Sequence, residues 1–186
     1  RRFLEALHHH QAADVVPTLE VAIGLETAHP EALERLNKKM TTGDVLLAAS
    51  RLQSLGVALR VFLLVSPPFV PEEEQDQWLL RSIDLACEAG ATAVSLIPTR
   101  PGNGALDTLE EDGLFRRPSL LDLERSLTLA LTRVARRETR VFADLWDLVR
   151  FADCQLCLPA RRERLRAMNI GQWPQPPVSC SRCDED

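Results

Sequence analysis

Short apolar runs alternate with amphipathic ones along most of the chain, and this alternation constrains the fold more than any other feature. Residues 19–26 (LEVAIGLE) form a mostly apolar run of strand length, as expected for a strand buried on both faces. Pro30 follows where the first turn of a helix accepts proline, with Leu33, Leu36 and Met40 at helical spacing. A second helix is expected from about Thr42, with Val45, Ala48, Ala49, Leu52 and Leu55 turned inward and Gly56 as its left-handed cap. The pattern then repeats. Residues 57–65 (VALRVFLLV) read as a buried strand, and Pro71 with Glu72, Glu73 and Glu74 opens a helix whose positive end suits carboxylates. That helix carries an apolar stripe of Trp78, Leu79, Ile83, Ala86 and Cys87, and Gly90 closes it. Residues 92–97 (TAVSLI) are the next strand. Ser119 and Asp122 form a capping-box-like start for a helix running to about Arg137, and residues 140–145 (RVFADL) make the last strand.

Strands alternating with helices predict a parallel sheet with right-handed crossovers. Four strands are too few for a closed barrel of the triosephosphate isomerase type. The expected α/β architecture is therefore half of such a barrel or an open doubly wound sheet, and periodicity leaves both open. In either, chemistry belongs to the loops after the strand C-termini, at 26–30, 66–71 and 98–104. The architecture expected here is the C-terminal half of an incomplete β/α barrel, with a sheet edge exposed where the missing N-terminal strands would pair, which predicts poor solubility or self-association.

Composition narrows the function classes. A net charge of −5 gives no global attraction to nucleic acid or membrane, so any such partner needs a local basic patch. No apolar run approaches the roughly 20 residues of a membrane helix, and the start has no signal-peptide core, so a cytoplasmic protein is expected. The chain begins at Arg1 with what reads as the last turns of a helix, as a truncated chain would. His8, His9 and His10 fall there. Adjacent residues on a helix face different directions, which favours a solvated helix end over a metal site. After Arg150 the composition turns rich in cysteine, arginine and proline, dividing the chain into a β/α part (1–150) and a cysteine-rich tail (151–186).

The tail carries Cys154-x2-Cys157 and Cys180-x2-Cys183, two pairs that can close a tetrahedral thiolate site. Zinc is the default occupant, a [4Fe–4S] cluster also takes four thiolates, and no secretion signal supports disulfides. Cys87, alone on an apolar helix face, reads as a core residue. Between the pairs, Arg161, Arg162, Arg164 and Arg166 form a basic helical patch suited to phosphates; the alternative is a solvated face partly balanced by Glu163. Glu26, at the end of the first strand, faces the functional rim of a β/α sheet or caps the helix that follows.

The segment IGLETAHPEALERLNKKMT (23–41) resembles the fourth-strand region of the radical S-adenosylmethionine (SAM) superfamily, where a GLES-type strand end precedes an N-(K/R)-x-x-T element. The loop strings VFLLVSPPFVPEEE and SLIPTRPGNG, and the tail with its two CxxC pairs and MN-x-x-Q, resemble one branch of it: the radical SAM subunit of archaeosine synthase and its bacterial relatives. The resemblance implies that Glu26 and Thr27 help to hold SAM and that Lys38 meets its carboxylate. Lysine in place of arginine there keeps the charge and loses bidentate geometry. It also implies reductive cleavage of SAM by a [4Fe–4S] cluster, a 5′-deoxyadenosyl radical, and a modified 7-deazaguanine base in tRNA as substrate, with a partner enzyme of deazaguanine modification. The cluster's CxxxCxxC motif is not among these 186 residues, so its ligands are expected outside this chain and the chain alone is expected to be inactive. Two other classes stand beside this reading. One is a non-catalytic zinc-binding module for nucleic acid or protein; the other is a different half-barrel enzyme using Glu26 with Asp144.

Overall fold

A computed structural model describes residues 18–102 and 104–183; the histidine triplet and Asn103 lie outside them. A four-stranded sheet in the order β1-β2-β3-β4 forms the frame, every pair parallel. The strands are β1 (Glu20–Glu26), β2 (Ala58–Val65), β3 (Ala93–Pro98) and β4 (Arg140–Ala143). Helices α1 (Pro30–Arg35) and α2 (Thr42–Ser54) follow β1, and α3 (Gln75–Glu88) follows β2. Between β3 and β4 lie α4 (Ala105–Glu111) and α5 (Leu120–Val134), and α6 (Leu158–Gly171) follows β4.

Local chemistry sets most of these boundaries. Thr41 and Asp44 form a reciprocal capping box at the start of α2, as do Ser119 and Asp122 at α5. Gly56 and Gly90 take the left-handed conformation that ends α2 and α3, with φ of 67° and 69°. Three sequence expectations need correction. The helix from Pro30 stops at Arg35, because Asn37 and Lys39 adopt left-handed φ of 54° and 50°, so Met40 is not helical. Leu55 falls on the C-cap of α2 and is exposed. Glu72–Glu74 form a separate 3-10 turn ahead of α3.

The expectation that the first strand is buried on both faces also fails. Among the described residues β1 is an edge strand, and only its Leu25 is fully buried. In β2, burial alternates: Leu59, Val61, Leu63 and Val65 pack under the helices, while Arg60, Phe62 and Leu64 are half-buried on the opposite face. The apolar content of β1 and β2 thus exceeds what the described residues cover.

The tail shares this core. Leu165 and Met168 of α6 are fully buried with Leu123, Leu127 and Val141. One contact explains why α6 sits beside β4. Asn169 Oδ1 accepts from the Ala143 N–H at 2.8 Å and its Nδ2 donates to the Ala143 carbonyl at 2.9 Å. Gln172 repeats the arrangement on Val141, accepting at 2.8 Å and donating at 2.9 Å. Two side-chain amides thereby satisfy an outer strand edge as a neighbouring strand would. Asn169→Leu leaves both backbone groups of buried Ala143 without partners and is expected to cost about 1–3 kcal/mol, read from the urea midpoint.

Candidate functional site

Two constellations carry chemistry: a group of paired charges at the C-terminal ends of the strands, and the four cysteines. At the strand ends, β1 changes register between Gly24 and Glu26, and Glu26 takes a left-handed φ of 68°. This turns its carboxylate across the strand, where Oε1 accepts from Lys38 Nζ at 2.7 Å. Gly24 makes the arrangement possible, since a Cβ there would lie 2.8 Å from Glu26 Oε1 and 3.4 Å from Lys38 Nζ. Lys38 itself sits between the two left-handed residues, a constrained loop of the kind found at ligand sites. A carboxylate paired with an ammonium can exchange that partner for the ammonium and carboxylate of an amino acid.

Of the residues expected here, the structure brings Glu26 and Lys38 together, and Thr27 lines a neighbouring cavity of about 250 Å³ with Glu26. Thr27 is 2% exposed, and its hydroxyl accepts from the His29 N–H at 3.2 Å, serving the turn into α1. Asp144 pairs with Arg100 at 2.7 Å rather than with Glu26. Glu26, Lys38, Leu64, Ile97 and Arg100 line one shallow cavity of about 330 Å³ above the half-exposed sheet face.

The cysteines converge. All four Sγ atoms lie within 4.8 Å of one another, with Cys154–Cys180 at 4.0 Å and Cys157–Cys183 at 3.8 Å. A regular tetrahedron of sulfurs around one zinc, at about 2.3 Å each, has edges of about 3.8 Å. The residues present therefore fit a single ion. A four-iron cluster binds each sulfur to a different iron and spreads the set wider. Backbone N–H groups of Cys157 and then Leu156 point at the Cys154 sulfur and hold its thiol down at about 7. A hydrogen bond with Cys180, together with burial and the other thiols, pushes Cys183 up to about 12.

The arginines expected as one basic patch divide. Arg162 and Arg166 face solvent, while Arg161 and Arg164 turn inward. Arg161 is 5% exposed; its Nε donates to Cys157 Sγ at 3.2 Å and its Nη1 to Glu124 Oε2 at 2.5 Å. Burial works against its charge, but the bonds to Cys157 and Glu124 outweigh that and keep it protonated. Arg164 lies 3.1 Å from Glu124 Oε1 and donates to the carbonyls of Gln175 and Pro176 at 2.9 and 2.8 Å. The physical reason is Glu124: a carboxylate 3% exposed on α5 requires cationic partners. Arg164 in turn fixes the segment that returns the second cysteine pair to the first.

The chain matches no protein-family model. It is similar to archaeosine synthase subunit beta of Methanosarcina acetivorans, at 28% identity over 160 residues. That match covers 83% of this chain and 45% of the archaeosine synthase subunit, and it supports a relation to that family. An uncharacterised protein of Methanocaldococcus jannaschii is 24% identical over 89 residues, 47% of this chain and 24% of that protein. The chain thus spans about half of the first relative's length, 45%, and about a quarter, 24%, of the second's. Among the described residues no helix is long and apolar enough to cross a membrane.

Sequence reasoning missed Glu124, and it quoted Gly24 and Asn169 only inside motifs, without the roles the structure gives them. A glycine inside an apolar strand was the available signal for Gly24, since such a residue marks a close approach. Nothing in the sequence singles out Glu124 among the 27 acidic residues.

Proposed function

We propose that this chain is the SAM-binding C-terminal half of a radical SAM β/α barrel, in an enzyme of tRNA modification acting on a 7-deazaguanine base, with structural zinc at the four cysteines. The similarity to archaeosine synthase subunit beta over 83% of the chain carries the reading. A parallel sheet with one half-exposed face suits a barrel wall whose interior the remaining strands enclose. The Glu26–Lys38 pair stands at the C-terminal rim, where the ammonium and carboxylate of SAM would each find an opposite charge. A [4Fe–4S] cluster held by cysteines of a preceding segment would supply the electron for SAM cleavage. The relative is called a subunit, and a partner enzyme is part of the proposal.

The test begins with the coding sequence ahead of Arg1, where an in-frame CxxxCxxC is expected. Its absence sinks the reading. In the protein so completed, Lys38→Met and Gly24→Val are each expected to weaken SAM binding roughly tenfold or more in equilibrium dialysis, the size of one lost charged hydrogen bond. Saturable binding indifferent to both substitutions removes this rim as the SAM site.

A further inference from the structure

Beside the Glu26–Lys38 cavity lies a second cleft of about 300 Å³, lined by Arg100, Arg117, Arg150, Phe151, Gly102 and Asp107. Its three arginines come from separate segments: Arg100 follows β3, Arg117 precedes α5, and Arg150 lies in the 3-10 turn Leu148–Phe151 after β4. The cleft is therefore on the C-terminal rim, and Arg100 belongs to both cavities.

Each arginine has a carboxylate partner. Arg117 meets Glu110 at 3.2 Å, Arg150 meets Asp147 at 3.3 Å, and Arg100 meets Asp144 at 2.7 Å. The first two are exposed pairs of little net worth, and each guanidinium has five N–H donors, so most donors remain available for an anion. Arg100 Nε is buried and has no hydrogen-bond partner among the described residues. The adjoining surface is aromatic. The Arg100 guanidinium lies 4.8 Å from the centre of the Trp146 ring and donates to the Trp146 carbonyl at 3.0 Å. Trp146 is nonetheless 67% exposed, so a flat ring backed by a cation is open to solvent.

We infer that this cleft binds single-stranded RNA, with Arg117 and Arg150 on its phosphates and a base stacked on Trp146. Guanidinium N–H donors bind phosphate oxygens, and aromatic rings take bases that are not already stacked in a duplex. The proximity of the two cavities gives the arrangement its direction: a strand seated in the arginine cleft can extend a neighbouring base past Arg100 toward Glu26 and Lys38. The inference rests on the reading that the substrate is an RNA, and it places the RNA contacts at the rim rather than on Arg162 and Arg166 of α6.

The experiment is fluorescence anisotropy of a short labelled single-stranded RNA, and of the same sequence as a duplex, titrated with the zinc-loaded chain across a salt series. Binding is expected to favour the single strand. Arg117→Gln and Arg150→Gln should each weaken it several-fold and flatten the log–log salt slope by about 0.7, one phosphate contact each. Trp146→Ala should weaken it roughly tenfold with the slope unchanged. All three positions are at the surface, so the fold should tolerate the changes. Absence of single-strand binding overturns the inference. So does binding untouched by these substitutions, or binding lost instead on Arg162→Gln with Arg166→Gln. None of those outcomes bears on the upstream motif or on SAM dialysis, so the two readings fail separately.

Discussion

Glu124→Ala is expected to destabilise the protein by about 3–5 kcal/mol, the cost of breaking a buried ion pair from one side. Glu124, Arg161 and Arg164 form a buried triad in which one carboxylate faces two guanidiniums, at 2.5 and 3.1 Å. Removing the carboxylate strands two positive charges with side-chain exposures of only 6% and 10%. Against a total of about 5–15 kcal/mol for a typical domain, such a loss is a large fraction. Glu124→Gln keeps the shape and the acceptor oxygen but not the charge, and should fall between the two. Urea unfolding of the zinc-loaded protein measures both. A midpoint unmoved by Glu124→Ala would mean that the triad contributes nothing to stability.

Zinc removal is the second large effect. Structural zinc contributes apparent free energies of about 10–16 kcal/mol in small zinc-binding peptides, so chelation should release about one zinc per chain and lower the melting temperature steeply. The loss should not stay local, because Arg161 joins Cys157 to Glu124 and α6 covers the outer edge of β4. Circular dichroism is expected to show lost helix as well as a lower melting point, and metal analysis gives the stoichiometry. Acid acts in the same direction. Cys154, held down at about 7, is a ready ligand above that pH, whereas Cys183, pushed up to about 12, gives up its proton only to an ion. Zinc uptake therefore releases protons and weakens as pH falls, more steeply below about 7, where Cys154 must give up a proton as well. An unchanged melting curve after complete chelation would reject a structural metal.

Legibility in the sequence followed the range of the interactions. The four strands and their parallel sense could be read from the alternation of apolar runs and helices with their glycine caps, because those signals are local to a few residues. The two cysteine pairs were legible because each supplies its ligands from a single turn. Direction of side chains was not. Four arginines along one helix read as a surface patch, yet Arg161 and Arg164 turn inward toward a carboxylate far away in sequence. Lys38 could be named from its motif, but its pairing with Glu26 depends on the register change at Gly24, which no run of apolar residues announces. The end of α1 was misjudged for a similar reason. Leu33, Leu36 and Met40 keep helical spacing while the backbone at Asn37 and Lys39 leaves the helix.

The amide caps of Asn169 and Gln172 on β4 give the sheet a polarity of growth. Among the described residues the outer edge of β1 is open to new backbone, and β4 is sealed by helix α6. A sheet open on both sides can recruit copies without end, each presenting a fresh edge to the next. A sheet sealed on one side cannot. Two copies meeting through β1 would satisfy each other and stop, giving a closed pair rather than a filament. The sealed edge thus acts as a chain terminator for assembly, and it leaves β1 as the side on which a complementing set of strands can seat.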